Sequence, residues 1–343
     1  MGICLHLCLR ETMRILIAGA GALGSVFGGF LRRAGEDVTL LGRATHLDAV
    51  ARDGLRIDGL WGDHVVRGFA VATDPSTLQG PFDAILLPVK SYDTATVAAG
   101  VAPLLADDGV MISLQNGLGN VEEVERAVGA ERALGARVIF GATVPEPGHA
   151  RVTVFADPTA IGALAPGRHP RRDALARDWA ARIDAAGVPA VYTDSLPAML
   201  WAKVFYNAAL NPLGALLDLH YGALPEHPES RGLMDAVIDE AFAVASAEGV
   251  SLAWPNAGAY RAEFYGRLVP STYDHRSSML QDLERGRRTE IDAINGAVWQ
   301  RGEARGVATA VNAALTRLMR TVETAGHKTK DKRQKTKGGR SEG

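Results

Sequence analysis

A glycine-rich turn, GAGALG, near the start of this chain constrains the fold more than any other sequence feature. It is preceded by an apolar stretch, RILIAG, and followed by an apolar pattern of helical spacing and a second apolar stretch, DVTLL. This order predicts a strand, a turn, a helix and a second strand. The first glycine would permit the tight turn, the second would let backbone N–H groups approach a pyrophosphate, and the third would let helix and strand pack closely. The predicted dinucleotide-binding turn consists of Gly19, Ala20, Gly21, Ala22, Leu23 and Gly24.

The end of the second predicted strand bears on the choice between the two nicotinamide cofactors. Enzymes that use NAD usually place Asp or Glu there, where the carboxylate binds the ribose 2′-hydroxyl. Here the strand ends with Leu41, Gly42 and Arg43, and no acid stands at that place. A guanidinium can hold a 2′-phosphate by a bidentate, charge-assisted contact. We therefore expect NADPH, held in part by Arg43; the alternative is that Arg43 is a solvated surface side chain.

The first half of the chain alternates predicted strands and helices, as open α/β sheets do. Further strands are predicted at residues 55–57, 64–71, 83–89 and 109–114. The last two are apolar enough for a sheet that is buried on both faces. Helices are predicted at 94–105 and 171–186. Between them, residues 137–164 alternate and are interrupted by prolines, which predicts short strands that extend the sheet in antiparallel fashion.

The second half of the chain is predicted to be almost entirely helical. Amphipathic runs cover residues 230–248 and 277–301. The domain boundary is expected near Asp194. The predicted fold class is therefore α/β, with a doubly wound sheet domain over residues 13–194 followed by an all-helical domain over residues 195–326.

Both ends of the chain are expected to lie outside these two domains. A signal peptide is disfavoured for residues 1–12, because the positive charge of Arg10 follows the apolar stretch and no small-residue cleavage site comes after it. We interpret these residues as a non-native or disordered start, with Met13 as the true beginning. Residues 327–343 hold seven Lys or Arg against two acids and no aliphatic side chain, which predicts a disordered basic tail. Taking its charge of +5 from the formal net charge of −2 leaves about −7 for the rest of the chain. Because that body is acidic, we expect no nucleic-acid partner.

The composition is that of an ordinary globular protein, with 47% apolar and 22% charged residues. No apolar run reaches the roughly 18 residues that would span a bilayer, so we expect no membrane role. Cys4 and Cys8 both lie in the first ten residues, so no disulfide framework or cysteine metal site organises the fold, and a reducing cytoplasm fits. The nine histidines show no paired ligand spacing, and we expect no metal.

Three short polar segments interrupt otherwise apolar regions. VKS at 89–91 follows one predicted strand, and QNGLG at 115–119 follows the next. Ligands bind at the carboxyl ends of the strands in open α/β sheets, so both segments are candidate binding segments. In the third, WAKVFYNAALNP, helical spacing puts Lys203, Asn207 and Asn211 on one face at successive i, i+4 steps.

Six motifs follow one another along the chain: GAGALG at 19–24, PVK at 88–90, QNGLG at 115–119, WxKxxxNxxxNP at 201–212, SSMLQD at 277–282 and TEIDxING at 289–296. Together they closely resemble the ketopantoate reductase family, over about residues 13–325. Each motif alone would be weak, but the set in this order is specific for the family. The resemblance implies a Rossmann-type domain followed by a helical domain similar to the C-terminal domain of 6-phosphogluconate dehydrogenase.

The resemblance also implies a reaction, the NADPH-dependent reduction of 2-dehydropantoate (ketopantoate) to pantoate in pantothenate and coenzyme A biosynthesis. Lys203 would be the general acid that gives a proton to the ketone oxygen, because an ammonium in a partly dehydrated site stabilises negative charge developing there. Glu290 would hold the substrate's hydroxyl, and we expect a cytoplasmic monomer or homodimer. The other implied ligands are Asn116 between cofactor and substrate, Lys90 near the nicotinamide, and Asn207, Asn211 and Ser278 at the substrate's carboxylate and hydroxyl groups.

Each of these roles has a simpler structural alternative. Lys203 could be a salt-bridged structural lysine. Asn211 could satisfy backbone groups that Pro212 frees, and Ser278 could begin a helix. Glu290 could be one more solvated acid on a helix.

His275 and Arg276 depart from the family pattern, because a small amide or apolar pair is expected just before SSMLQD. This change beside Ser278 leaves a different small 2-oxo acid open as the substrate. A dehydrogenase of the 6-phosphogluconate type is disfavoured, because the motifs carry few basic residues for a phosphate. A non-catalytic NADPH-sensing protein would need the glycine turn but not Lys203 and Glu290, whose joint presence favours an enzyme.

Overall fold

The computed structural model describes residues 12–338, with side chains described as far as Ala325. All but the last residue of the expected non-native start, and residues 339–343 of the expected basic tail, lie outside the described residues. In the described part of the chain, no helix combines the length and hydropathy needed to cross a bilayer.

The chain divides into two compact units. The first contains the residues up to Gln115 together with residues 120–196, and the second contains residues 116–119 together with the chain from Pro197 onward. The sequence places the boundary near Asp194, and the structure places it two residues later, after Leu196.

The segment 116–119 is predicted as part of the first domain, and the structure assigns it to the second unit. Its backbone is attached to a turn of that unit, since the Leu118 N–H donates to the Ala293 carbonyl at 2.8 Å. Gly117 has a φ of +86° and packs so closely that a Cβ there would lie 2.3 Å from the same carbonyl oxygen. The sequence does not show this attachment because the two segments lie far apart along the chain.

Within the described residues, the first unit is built on one ten-stranded sheet. Its strands are β1 (Arg14–Ala18), β2 (Asp37–Leu41), β3 (Leu55–Gly59), β4 (His64–Val66), β5 (Ala70–Ala72), β6 (Phe82–Leu87), β7 (Leu105–Ser113), β8 (Ala133–Glu146), β9 (His149–Gly162) and β10 (Ala190–Tyr192). They lie in the order β4-β3-β9-β8-β7-β6-β1-β2-β5, and β10 pairs with β9. Pairing is parallel from β8 through β5 in this order, whereas β8–β9 and β3–β4 are antiparallel.

Helices cover both faces of this sheet. They are α1 (Ala22–Arg33), α2 (Ala44–Asp53), α3 (Thr94–Val101), α4 (Asn120–Val128) and α5 (Pro170–Ala186). Successive side chains of β1 enter different cores: Ile17 packs with Phe27 of α1, whereas Leu16 packs with Ala98 of α3. Because a parallel strand is buried on both faces only between two helical layers, this confirms the predicted doubly wound α/β fold.

Strands β8 and β9 form one long antiparallel hairpin, where the sequence predicts several short strands. Each has 14 residues. Pro145 and Pro158 lie where the pairing register shifts, so neither missing N–H removes a regular ladder bond. The turn between the strands contains Gly148 at a φ of +77°. The antiparallel extension is therefore correct, and its division into short strands is wrong.

The second unit is helical. Its elements are α6 (Leu196–Leu217), α7 (Pro228–Ala247), α8 (Ala257–Glu263), a π-helical turn (Phe264–Leu268), α9 (Ser278–Glu284), α10 (Asn295–Arg305) and α11 (Ala310–Gly338). The run 277–301, predicted as one amphipathic helix, is broken after α9. Gly286, at a φ of +67°, follows the end of that helix, and Glu323 Oε1 accepts from both the N–H and the hydroxyl of Thr289. Glu290 therefore lies in a connection between helices.

The last helix continues into the segment for which the sequence predicts disorder. Its assigned end is Gly338. Extending a helix that already exists needs no new nucleation, and Lys, Arg and Gln have favourable helix propensities. The structure thus has helix at residues 327–338 where the absence of aliphatic side chains suggested disorder.

A buried histidine connects α2 to α1 and to the β8–β9 turn. The Gly148 N–H donates to His46 Nδ1 at 3.1 Å, so that nitrogen carries no proton. In the neutral ring the proton is then on Nε2, which donates to the Ser25 hydroxyl oxygen at 3.0 Å. Burial, and after it the charge of Arg43, lowers the pKa of His46.

We expect the free energy of unfolding to fall as the pH is lowered below 6.5, the ordinary pKa of His46. Between the lowered pKa of His46 in the folded chain and 6.5, the unfolded chain binds a proton that the folded chain does not bind. The stabilisation that comes from keeping this ring neutral is therefore complete above pH 6.5 and is lost as the pH falls through that range. Its slope is at most about 1.4 kcal/mol per pH unit. Urea unfolding at a series of pH values measures it. His46→Gln should flatten the slope and the exposed control His227→Gln should not; equal slopes for His46→Gln and wild type would contradict the assignment.

Candidate active site

The glycine turn of the first unit has the shape that a dinucleotide phosphate requires. Gly19 has a φ of +129°, and a Cβ there would lie 2.8 Å from Val89 Cγ1. Gly24 is packed so tightly that a Cβ would lie 2.1 Å from the Gly19 carbonyl oxygen. A Cβ on Gly21 would meet nothing within 4 Å, so the space beside that residue is open. The three glycines thus provide the turn, the packing contact and the open approach that a bound pyrophosphate needs.

Helix α1 begins directly after this turn, with Gly21 as its N-cap residue. Among the described residues, no side chain caps this helix start, and no acid lies in its first turn. The N–H groups and the positive end of the helix dipole therefore favour an anion. Of the other turn residues, Ala20 donates its N–H to the Leu41 carbonyl at 2.8 Å, Ala22 begins the helix, and Leu23 packs against the core.

Arg43 and Lys90 both lie next to the glycine turn in the first unit. Gly42 packs on the turn, since a Cβ on it would lie 3.0 Å from Ala20 Cβ. Arg43 follows directly, is exposed, and is the N-cap residue of α2. Lys90 is half-buried and follows Val89, whose side chain contacts the turn. Two side chains that carry positive charge thus come from the strand ends beside the turn, which suits an anionic cofactor.

A buried chain of hydrogen bonds fixes the segment that follows β7. The Ser113 hydroxyl donates to Gln115 Oε1 at 2.5 Å, and Gln115 Nε2 donates to the Thr94 hydroxyl oxygen at 2.7 Å. The Thr94 hydroxyl in turn donates to Asn120 Oδ1 at 2.8 Å. All four side chains are buried. No sequence motif points to Ser113, Thr94 or Asn120, because each is a single polar residue in a different segment.

Three of the predicted side chains meet in the second unit. The Lys203 ammonium donates to Asn116 Oδ1 at 2.6 Å, and Asn116 Nδ2 donates to Glu290 Oε2 at 3.4 Å. Glu290 is buried, with 7% of its surface exposed, and Lys203 and Asn116 are half-buried. The amide is therefore oriented by a cation at its oxygen and a carboxylate at its N–H. Glu290 is not a solvated helix acid.

The predicted face of α6 carries two further amides. Asn207 and Asn211 follow Lys203 at steps of four residues and are 9% and 3% exposed. Asn211 Oδ1 accepts a hydrogen bond from the Tyr221 hydroxyl, and burial raises the pKa of that hydroxyl well above its usual range, so it stays a donor. Within the described part of the chain, neither the Asn207 amide nor the Asn211 N–H groups have a hydrogen-bond partner. Buried amide groups in this condition favour a ligand position.

Pro212 removes a backbone hydrogen bond from α6, and a different asparagine compensates. Because proline has no N–H, the Ala208 carbonyl, four residues earlier, loses its helical donor. Asn295 Nδ2 donates to that carbonyl at 3.0 Å. Asn211 therefore does not satisfy the carbonyl that Pro212 frees. The structural role considered for Asn211 in the sequence belongs to Asn295.

The two serines of the SSMLQD motif have different positions. Ser277 is buried and is the N-cap residue of α9, where its hydroxyl oxygen accepts from two N–H groups of the first turn. The same hydroxyl donates to the Asn211 carbonyl at 2.7 Å. Ser278 is exposed, and its hydroxyl lies 3.5 Å from Asn211 Oδ1. The helix-starting role considered for Ser278 thus belongs to Ser277.

The two residues that depart from the family pattern have different surroundings. Arg276 pairs with Glu284 at 2.8 Å and with Asp218 at 3.4 Å. The His275 ring packs on Tyr221, with ring centroids 5.0 Å apart. The Tyr221 hydroxyl donates to Asn211 Oδ1, so the Tyr221 ring lies between His275 and the predicted substrate-binding residue Asn211. Arg276 is engaged in surface ion pairs.

Comparison with known proteins gives consistent relatives over most of the chain. A family model described as ketopantoate reductase PanE/ApbA matches residues 15–166, and its C-terminal counterpart matches residues 196–323. The 2-dehydropantoate 2-reductase of Aquifex aeolicus is 36% identical, covering 91% of this chain and 97% of the relative. That of Halobacterium salinarum is 35% identical, covering 92% and 100%.

Solved structures agree with these sequence relatives. A PanE/ApbA family ketopantoate reductase from Ralstonia eutropha has a TM-score of 0.81 at 36% identity, covering 92% of this chain and 100% of that one. D-mandelate dehydrogenase, in a ternary structure with NADH and anilino(oxo)acetate, also has a TM-score of 0.81, at 27% identity and the same coverage. With both family models matched in order along the chain, this protein belongs to the ketopantoate reductase family.

Proposed function

We propose that the protein reduces 2-dehydropantoate to pantoate with NADPH, as a step of pantothenate biosynthesis in the cytoplasm. The observation that carries this proposal is the hydrogen-bonded set Lys203–Asn116–Glu290. Beside it on α6 are the buried amides of Asn207 and Asn211. A cation, a carboxylate and amide donors are the groups needed to orient a short 2-oxo acid that carries a hydroxyl.

The reaction needs a hydride at the ketone carbon and a proton at the ketone oxygen. NADPH supplies the hydride when it is bound, and the open glycine turn and uncapped start of α1 suit its pyrophosphate. Lys203 gives its proton to the ketone oxygen as negative charge develops there, which leaves a secondary alcohol and a neutral amine that takes up a proton from water. Asn116 accepts a hydrogen bond from the ammonium and so holds the proton donor in position.

Recognition of the substrate rests on the remaining groups of the same unit. The Glu290 carboxylate accepts a hydrogen bond from the substrate's hydroxyl. The buried amides of Asn207 and Asn211 donate to its carboxylate, and Ser278 lies beside Asn211 to bind a further oxygen. In this arrangement the carboxylate of the substrate would supply the acceptors that buried amide N–H groups require.

A different small 2-oxo acid is the second candidate substrate. D-mandelate dehydrogenase has the same TM-score to this chain as the ketopantoate reductase from Ralstonia eutropha. In addition, His275 packs on Tyr221 close to Asn211, where the family pattern leads us to expect a smaller side chain. A larger side chain packed on the tyrosine that contacts Asn211 would favour a substrate of a different shape.

Measuring NADPH oxidation with a panel of 2-oxo acids tests both candidates. The panel contains 2-dehydropantoate, phenylglyoxylate and pyruvate, each with NADPH and with NADH. The highest kcat/KM for 2-dehydropantoate with NADPH is the expected result. Turnover of phenylglyoxylate alone would favour the second candidate. Tight NADPH binding without turnover of any 2-oxo acid would contradict both and favour a cofactor-sensing protein.

Arg43→Gln is expected to raise the KM for NADPH by about 10- to 100-fold and to leave the KM for NADH nearly unchanged. The reason is that a charge-assisted hydrogen bond to the 2′-phosphate contributes about 1.5–3 kcal/mol, and NADH lacks that phosphate. Steady-state kinetics with both cofactors measures the effect. Arg52→Gln, at the other end of α2, is the matched control and should change neither value. Equal losses for NADPH and NADH in Arg43→Gln would argue against a 2′-phosphate contact.

A further inference from the structure

A cavity of about 700 Å³ opens in the first unit between the carboxyl-terminal end of α1 and the strand β4 at the edge of the sheet. Arg32 and Arg33 of the last turn of α1 line one side. His64 and Arg67, from β4 and the residue after it, line the other. Three guanidinium groups therefore share one concave surface.

The charge of these three arginines is only partly balanced by neighbouring acids. The pKa of Asp53 is lowered mainly by its hydrogen bond with Arg52, with which it pairs at 2.7 Å, and to a smaller extent by the charge of Arg67. Within the described residues, Arg32, Arg33 and Arg67 form no ion pair. The acid that lines the cavity, Asp63, accepts two hydrogen bonds from Arg56, at 3.3 and 3.0 Å.

A second acid lies near the end of α1 but is also engaged. Glu36 is buried, accepts from the Met13 N–H at 2.6 Å, and pairs with Arg182. Since the local carboxylates are held by other arginines, the cavity keeps an excess of positive charge. The negative end of the α1 dipole, worth about half an elementary charge, offsets only part of it.

One of the three guanidinium groups is held in place before any ligand binds. Arg32 Nη1 donates to the Glu36 carbonyl at 3.0 Å, and Arg32 Nε donates to the Arg67 carbonyl at 3.4 Å. Gly68, at a φ of +83°, leaves room for this side chain, because a Cβ there would lie 2.7 Å from Arg32 Nη2. The position of Arg32 is therefore fixed by backbone contacts, and less side-chain freedom is lost when an anion binds.

We propose that this cavity binds a phosphorylated small molecule that carries at least two negative charges. Guanidinium groups match the geometry of phosphate oxygens, and about 700 Å³ is the size of a small-molecule site, too large for a single phosphate. The organic part of the ligand would lie on Val65, which lines the cavity and is 54% exposed. The site is separate from the glycine turn, because the 12 residues of α1 hold its two ends about 18 Å apart.

Isothermal titration of the full chain with inorganic pyrophosphate tests the proposal. The cavity variant is Arg33→Gln/Arg67→Gln, in which both replaced side chains are exposed, so the fold should persist and a thermal melt checks it. The control is Arg168→Gln, an exposed arginine of the same unit outside the cavity, and each titration is repeated with saturating NADPH so that the glycine turn is occupied. A titration with sodium sulfate at matched ionic strength measures general attraction of anions.

With NADPH present, wild type should bind pyrophosphate. The affinity should fall at least tenfold in the cavity variant and stay within threefold of wild type in Arg168→Gln. Absence of binding to wild type, equal binding by the cavity variant, or equal binding of sulfate and pyrophosphate would each overturn the proposal. Binding that disappears when NADPH is present would assign the pyrophosphate to the glycine turn and would also overturn it.

Discussion

Lys203→Ala is expected to lower kcat for 2-dehydropantoate reduction by about 10²- to 10⁴-fold, the range for loss of a positioned proton donor. The affinity for NADPH should change much less than kcat, because the side chain's proposed role is proton donation to the substrate and its hydrogen-bond partner is Asn116. Stopped-flow measurement of hydride transfer, with NADPH binding followed by its fluorescence, separates the two quantities. A thermal melt confirms that the variant is folded.

Lys203→Arg separates proton donation from the effect of positive charge. Arginine keeps the charge but does not release a proton in proteins. If proton donation dominates, Lys203→Arg should be nearly as slow as Lys203→Ala, and added methylamine should restore part of the rate of Lys203→Ala alone. If Lys203 is a structural lysine, both variants would melt at lower temperature and methylamine would restore nothing, which would contradict the general-acid role.

The parts of the molecule that the sequence predicts correctly depend on local rules. The glycine turn is one, because the need for a positive φ at Gly19 and for close packing at Gly24 arises within a single strand-turn-helix unit. The face of α6 is another, since helical periodicity alone aligns Lys203, Asn207 and Asn211. Buried strands flanked by helices likewise predict the doubly wound sheet without any knowledge of the pairing order.

The features that the sequence does not predict depend on contacts between distant segments. Asn116 belongs to the second unit although β7 of the first unit ends only three residues earlier, at Ser113. The break that places Glu290 between helices depends partly on Glu323, more than thirty residues later. Asn295 satisfies the Ala208 carbonyl that Pro212 leaves without a donor. In each case a hydrogen bond across the fold, and not a local preference, decides the position.

Glu290→Ala is expected to lower kcat/KM for 2-dehydropantoate by about 100-fold, because a hydrogen bond from a substrate hydroxyl to a buried carboxylate contributes about 1.5–3 kcal/mol. The loss should depend on that hydroxyl. With 3,3-dimethyl-2-oxobutanoate, which is the same 2-oxo acid without the hydroxyl, wild type and Glu290→Ala should differ much less. The two substrates and two proteins form a double cycle whose coupling free energy isolates this one contact.

The surface acid Glu284 provides the matched control for this cycle. Glu284 is exposed and is the last residue of α9, the helix that precedes the connection holding Glu290. Its carboxylate pairs with Arg276. Glu284→Gln should show the same preference between the two substrates as wild type. An equal loss for both substrates in Glu290→Ala would mean that the carboxylate acts through Asn116, to which it is hydrogen-bonded, and not on the substrate's hydroxyl. Glu290 would then be a positioning residue for Lys203, and recognition of the hydroxyl would rest on Asn211 and Ser278.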